Sequence, residues 1–341
     1  MRKVRFGIIG TNFITEWVIA GAKQDNRFEL AAIYSRTQEK ADEFAAKYQI
    51  PHTFTSLEEM AKSSLIDAVY IASPNYLHAS QAILCMKHGK HVLCEKPFAS
   101  NAREVREMIA ASKQYNVALM EAMKPTLTPN FRSILTNIGR IGTVRNYFSS
   151  FCQYSSRYDK YKEGIILNAF NPELSNGAIM DIGVYTIYPM VVLFGRPKEI
   201  KATGIVLSSG TDGHGAVSFL YDKLTASILY SKIANSYLPT EIQGEEGNIT
   251  LDKINIISKV TYSPRLAPSS GKGPSPEPED ISVATPQDEY YYEVAEFIDV
   301  IQAGKRESAI NSHENSLITI EIVDEIRRQL NITYPADKNQ Q

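Results

Sequence analysis

The sequence predicts an α/β protein: an N-terminal doubly wound parallel sheet, then an α+β domain built on a large, mostly antiparallel open sheet. Three observations carry this. Up to Met120, short aliphatic runs alternate with amphipathic helical stretches, the rhythm of repeated βαβ units. Beyond Lys124, strand patterns follow one another with few helices between them. The 341 residues leave room for about two domains at ~150 residues each.

In order along the chain, Val4–Ile9, Leu30–Tyr34, Ala68–Ala72, Val92–Cys94 and Val117–Met120 are nearly unbroken apolar runs, suited to strands buried on both faces. Phe13–Lys23, Gln38–Tyr48, Leu57–Lys62, Leu77–His88 and Ala102–Tyr115 read as the helices between them, with Ser100-Asn101 as a cap and Gly89 as a stop. Pro125 and Pro129 punctuate the crossing and Phe131–Ile138 reads as a short helix. The strands then expected are Thr143–Phe151, Glu199–Leu207, Ala216–Tyr221, Thr225–Ser231, Thr240–Gln243, Asn248–Leu251 and Ile254–Tyr262, with one helical insertion at Ala178–Phe194. Ser263–Pro286, rich in Pro, Ser and Gly, reads as a long exposed loop, and helices at Asp288–Ala303 and Ser312–Leu330 close the chain. The expected domains are 1–124, dinucleotide-binding, and 125–341, substrate-binding and oligomerising.

Composition narrows the function classes. Thirty-six basic and 38 acidic residues give a net charge of -2, which supplies no general attraction to nucleic acid or anionic lipid. No run approaches ~18 unbroken apolar residues, so no membrane span is expected. The N-terminus enters a strand pattern directly, without the apolar core and cleavage site of a signal peptide. Cys85, Cys94 and Cys152 are odd in number and widely spaced, and the six histidines form no HxH or HExxH. These features predict a soluble, cytoplasmic protein without a metal site.

The first chemical signal is Gly7-Ile-Ile-Gly10-Thr-Asn12-Phe-Ile-Thr15, which ends the first strand and opens the first helix. That is the setting in which backbone N–H groups and a helix N-terminus can hold a pyrophosphate. Gly10 takes the first position of G-x-G-x-x-G, Asn12 the second and Thr15 the third. Asn tolerates left-handed dihedrals, so the turn can survive there with the side chain near the phosphates. At the tip of the second strand, Ile33-Tyr34-Ser35-Arg36-Thr37 holds no acid for a ribose 2′-hydroxyl. Ser35 can donate a hydrogen bond and Arg36 offers a planar cation to a 2′-phosphate, so NADP(H) is expected ahead of NAD(H).

Three further segments complete a pattern: Ser73-Pro74-Asn75-Tyr76-Leu77-His78, Cys94-Glu95-Lys96-Pro97, and Asn171-Pro172-Glu173-Leu174-Ser175-Asn176-Gly177-Ala178-Ile179-Met180-Asp181-Ile182-Gly183-Val184-Tyr185. With the glycine loop, in this order along nearly the whole chain, they resemble the glucose–fructose oxidoreductase / inositol dehydrogenase / MocA (Gfo/Idh/MocA) family of NAD(P)-dependent dehydrogenases. Tyr185, where other members have His, is similar to the branch containing dimeric dihydrodiol dehydrogenases. The resemblance implies a Rossmann domain, catalytic Lys96 and Tyr185 with Asp181, and a cofactor held by Gly10, Thr11, Asn12, Phe13, Ile14, Ser35, Arg36, Ser73, Pro74, Asn75, His78, Glu95 and Lys96. It implies hydride transfer between nicotinamide C4 and a hydroxyl or carbonyl carbon of a sugar, polyol or vicinal diol.

The residues bear on the same roles independently. Gly10, Ser73–Asn75 and Glu95–Lys96 all follow strand ends, where open α/β sheets bind ligands. A lysine just past a buried strand is placed for a shifted pKa. Asp181 and Tyr185 are four apart and share a helix face, while Gly177 and Gly183 suggest a close approach. A non-catalytic dinucleotide sensor is the alternative, against which Lys96, Asp181 and Tyr185 stand together. An apolar sheet face bearing Val217, Phe219 and Tyr221 predicts a homodimer or dimer-based oligomer.

Overall fold

The computed structural model describes residues 2–265 and 277–338. The first stretch of chain runs β1 (Val4–Ile9), α1 (Phe13–Ala22), β2 (Phe28–Tyr34), α2 (Gln38–Tyr48), β3 (His52–Phe54), α3 (Leu57–Lys62), β4 (Ala68–Ile71), α4 (His78–Lys87), β5 (His91–Glu95), α5 (Ala102–Tyr115) and β6 (Leu119–Ala122). There follow α6 (Pro129–Asn137), β7 (Val144–Cys152), α7 (Ser156–Lys162), α8 (Val184–Phe194), β8 (Glu199–Val206), β9 (Asp212–Leu220), β10 (Thr225–Ser231), β11 (Thr240–Gly244), β12 (Gly247–Leu251), β13 (Val260–Pro264) and β14 (Glu279–Asp280). Helices α9 (Glu289–Gln302) and α10 (His313–Gln329) close it. The chain forms two compact units, 1–124 with 287–320, and 125–286 with 321–341.

The first unit carries a six-stranded sheet in the order β3-β2-β1-β4-β5-β6, parallel at every pairing. Strand order reverses between β1 and β4, so the carboxyl ends of these two strands open a crevice. The strands are aliphatic on both faces because helices cover both: Phe6, Ile8, Ile33, Val69, Leu93 and Met120 are all buried. β3 escapes the sequence pattern because it is three half-buried residues at the sheet's edge, too short for a periodicity. The placement of everything after 124 in one domain needs correction, since 287–320 belongs with the first unit. There α9 packs on α1, Phe297 lies 6.1 Å from Phe6, and Arg27 bridges Asp25 and Asp299. Asn311 donates to the carbonyls of Glu121 and Met123.

In the second unit the described residues form an eight-stranded sheet, β14-β13-β12-β11-β7-β10-β9-β8, antiparallel except where β10 meets β7. Val217, Phe219 and Tyr221 are buried, with Ile228 opposite Val217 and Ala226 opposite Phe219, on the covered face. The expectation that they form an open apolar face is therefore wrong: period-two alternation tells which residues share a face, not which face is covered. The opposite face carries Thr203, Ile205, Ser218 and Leu220, more polar than expected.

Two other expectations change. Ile254–Tyr262 is not a continuous strand; β13 starts at Val260, after a turn held by Asp252 accepting from Ser258 and Lys259. The segment expected as a loop, Ser263–Pro286, begins inside β13 and holds β14, whose Asp280 pairs with Thr261; residues 266–276 lie outside the described residues. Contrary to the expectation that no stretch could span a bilayer, Pro172–Phe194 is long and apolar enough by composition. Its most apolar window is 72% buried in the fold, so that apolarity serves the core.

Candidate active site

In the first unit the site is built along the carboxyl ends of β2, β1, β4 and β5. Gly10 turns the chain at φ +113°, and a Cβ there would lie 2.6 Å from the Ala72 carbonyl oxygen. Only glycine lets the loop after β1 rest on the end of β4. Asn12 does not take the left-handed conformation expected of it. It is extended (φ -88°), its Oδ1 accepts from the Thr15 N–H at 3.1 Å, and its Nδ2 donates to Ala72 O at 2.8 Å. The side chain is thus spent on capping α1 and stapling the turn, because a helix start needs an acceptor more than this turn needs positive φ. Thr15, buried at the third motif position, donates from Oγ1 to Gly10 O. Thr11 and Phe13 stand exposed, Ile14 is half-buried, and the Phe13 ring packs edge-on against exposed Trp17 at 5.0 Å.

This loop fits a dinucleotide. The glycine leaves room for backbone approach, and the first-turn N–H groups of α1 have no partner within the helix. At the end of β2 the Ser35 N–H donates to Phe54 O and Ser35 is half-buried, while Arg36 is exposed. No acid stands between Ile33 and Gln38.

After β4, Ser73 donates from Oγ to Gln81 at 2.7 Å, and Asn75 opens a short 3-10 turn into α4. His78 is 1% exposed; its Nε2 lies 2.8 Å from Ser73 O and its Nδ1 3.0 Å from Pro97 O. Burial lowers its pKa, and the neutral ring donates to one of the two carbonyls. His78 thereby ties the Ser-Pro-Asn turn to the Lys96–Pro97 turn, leaving little of it for a ligand.

β5 delivers Glu95 and Lys96 into a nest of carboxyls. Tyr70 donates from its hydroxyl to Glu95 Oε1 at 2.6 Å, both groups buried. Burial raises the Glu95 pKa, against the pull of Lys96 and Lys124. Glu121, on β6, is pushed up to about 8 by burial, despite a hydrogen bond with Ser316. Glu293, on α9, is raised by burial and by Glu95, and neither of its carboxyl oxygens has a hydrogen-bond partner among the described residues. Lys96 keeps some surface, but enough protein surrounds its ammonium that desolvation lowers its pKa, opposed by Glu95 and Glu121. Acid and amine are thus moved toward each other, the condition for easy proton exchange. Lys124 pairs with Glu289 and lies over the Tyr290 ring at 4.5 Å.

In the second unit, Asp181 and Tyr185 lie on the segment that leads into α8. Their segment is not one regular α-helix: Ile179–Gly183 forms a π turn, a wider coil often found at functional positions. A carboxylate from β9 caps it. Asp212 Oδ2 accepts from the Ile179 N–H at 2.8 Å, and Gly177 (φ +156°) is required because a Cβ would lie 2.4 Å from Asp212 Oδ1. Burial pushes Asp212 up to about 6. The close approach expected at Gly177 and Gly183 is therefore made by protein, by Asp212 and by the Tyr230 ring. Asp181 pairs through Oδ2 with Lys232, just past β10, and the Tyr185 ring meets Phe151 edge-on at 5.6 Å.

Tyr70, Glu121, Glu293, Asp212 and Lys232 were not among the sequence candidates. Glu121 carried a signal, being the one acid in the apolar run Val117–Ala122. A hollow of about 450 Å³ lined by Arg2, Lys3, Asp67, His91 and Gln302 lies at the opposite, amino edge of the sheet.

The chain is similar to known proteins over nearly its whole length. The family profile "Oxidoreductase family, NAD-binding Rossmann fold" matches residues 4–123, and the "GFO/IDH/MocA C-terminal domain" matches 135–250. The chain is 52% identical to scyllo-inositol 2-dehydrogenase (NADP(+)) IolU of Bacillus subtilis (strain 168), over 98% of this chain and 99% of that protein. It is 31% identical to trans-1,2-dihydrobenzene-1,2-diol dehydrogenase of Xenopus tropicalis, over 90% and 91%. Aldose-aldose oxidoreductase from Caulobacter crescentus has the same fold, with a TM-score of 0.83 at 22% identity, covering 97% of this chain and 98% of that one.

Proposed function

From the premise that this chain belongs to the Gfo/Idh/MocA oxidoreductase family, we propose that it moves hydride between nicotinamide C4 of NADP(H) and the carbinol or carbonyl carbon of a polyol, sugar or vicinal diol. The observation that carries this reading is Lys96, desolvated at the carboxyl end of β5 beside Glu95 and Glu121. Both named relatives act on a ring carbon with a hydroxyl-bearing neighbour, which favours a cyclic polyol or diol. NAD(H) is the second cofactor: Arg36, with no acid beside it, favours the 2′-phosphate without excluding its absence.

The bound nicotinamide supplies or accepts the hydride. The chain's own work is to hold and deliver a proton. Tyr185 is the proposed donor to the substrate oxygen and Lys96 the cation that supports the developing charge. Glu95 and Tyr70 fix Lys96 from behind, His78 fixes the turn that carries it, and Asp181 orients a substrate hydroxyl. Gly10, Thr11, Asn12, Phe13 and Ile14 form the pyrophosphate loop, and Ser35 and Arg36 take the 2′-phosphate. Ser73, Pro74 and Asn75 line the nicotinamide side. We take the enzyme to act in the cytoplasm, where the free thiols of Cys85, Cys94 and Cys152 stay reduced, and as a dimer through the second unit's other sheet face, where Ile205 and Leu220 are exposed.

The test is NADP(H)- and NAD(H)-linked turnover on a panel of inositols, aldoses, cyclic diols and their ketones. NADP-preferring turnover of at least one polyol or diol is expected. Tight NADPH binding with no turnover across the panel would make the protein a sensor instead.

A further inference from the structure

We infer that Lys232 is a positioning residue that sets specificity: by pairing with Asp181 it makes that carboxylate a fixed acceptor for the hydroxyl next to the reacting carbon. The inference rests on the functional reading above and deepens it, from polyols in general to substrates with a vicinal hydroxyl.

Lys232 sits just past the end of β10 with its side chain 6% exposed, so it is poorly placed to touch a ligand itself. Its backbone is pinned on both sides: its N–H donates to Gly213 O at 2.8 Å, and its carbonyl accepts from the Ser155 N–H at 2.9 Å. What it reaches is Asp181 Oδ2, while the Asp181 side chain keeps 29% exposure. The cation is therefore buried behind the anion, and the anion faces outward. Asp181 itself cannot drift, because its π turn is anchored by Asp212 on the Ile179 N–H and by its own N–H on Gly177 O.

Chemistry then limits what Asp181 can do. A carboxylate whose partner is an ammonium fixed behind it is held in place as an acceptor. A carbonyl oxygen about to receive hydride has no proton to give, and an anion beside it would oppose the charge it develops. A hydroxyl on the adjacent carbon does have one. The pair is thus suited to reading the neighbour of the reacting carbon, not the reacting oxygen.

The experiment uses the full-length enzyme with NADPH on 2-hydroxycyclohexanone and on cyclohexanone, which differ only in that neighbour. Lys232→Met should lower kcat/KM for the hydroxyketone about ten- to hundred-fold, chiefly through KM, and leave cyclohexanone within about threefold. Lys232→Arg, which keeps the charge, should recover most of the loss. Lys232→Met combined with Asp181→Asn should be no worse than Asp181→Asn alone. Should Lys232→Met fail to fold, Lys232→Gln against Lys232→Arg makes the same comparison. Equal losses on the two ketones, or additive losses with Asp181→Asn, would overturn the inference while leaving the dehydrogenase reading intact. A native enzyme that binds NADPH yet reduces no ketone or aldose, and with NADP+ oxidises no polyol or diol of the panel, overturns that reading and this inference with it.

Discussion

Two clusters, one in each unit, bury charge differently. In the first, Glu95 and Glu121 act on the desolvated amine of Lys96, Glu95 also acts on Glu293, and burial pushes every one of these groups toward its neutral form. In the second, at the π turn, Asp181 has Lys232 as its partner, and Asp212, although burial pushes it up to about 6, accepts from the Ile179 N–H. Groups held near neutrality exchange protons readily; matched pairs hold their charge and direction. On the proposed reading the difference is a division of labour between two lysines: Lys96, past β5, supports the charge as Tyr185 gives its proton, and Lys232 holds the carboxylate that reads a neighbouring hydroxyl.

The largest expected effect tests the proton-handling side of that division. Removing a general acid or its supporting cation costs about 10²–10⁴-fold in rate. Tyr185→Phe should lower kcat by that much with NADPH affinity unchanged, and Lys96→Ala should be at least as damaging. If Tyr185→Phe keeps near-full turnover while Lys96→Ala is dead, the lysine is the acid and Tyr185 only packs against Phe151.

Next in size is the cofactor. If Arg36 pairs with the 2′-phosphate, Arg36→Ala removes a charge-assisted contact worth about 1.5–3 kcal/mol. NADPH affinity, measured by fluorescence titration, should fall roughly ten- to hundred-fold with NADH little changed. Equal losses for both would mean the arginine is merely solvated.

A third effect is on stability and leaves the chemistry aside. Glu121 carries a pKa of about 8 in the fold against an ordinary 4.5. Between those values the folded chain keeps a proton that the unfolded chain has released, so stability falls as pH rises, by about 1.4 kcal/mol per unit. Glu121→Gln removes that slope. Its Tm should exceed the native value at pH 8, and the gap should shrink toward pH 5. Parallel curves would show that Glu121 is ionised in the fold, and the contrast between the units would lose one of its three neutral carboxyls.

The parallel sheet was legible because strands buried on both faces leave unbroken aliphatic runs, and the strand-end motifs because they sit at turns with little choice of residue. What stayed hidden depends on chain reversal in space. Nothing in the pattern of α9 says that Phe297 and Glu293 return to the first unit, and nothing in Asn12 says that its side chain turns back to Ala72. Val217, Phe219 and Tyr221 showed their shared face but not its cover. Asp212 and Lys232 read as ordinary strand-end polar residues until β9 and β10 bring them to the π turn.

The division of labour is tested most directly by kcat/KM of Lys96→Ala and Lys232→Met, side by side, on cyclohexanone and 2-hydroxycyclohexanone. Proton delivery is indifferent to the neighbouring carbon, so Lys96→Ala should lose the same factor on both ketones, while Lys232→Met loses only on the hydroxyketone. The same pattern of losses from both variants would contradict the account, because the two lysines would then share one task.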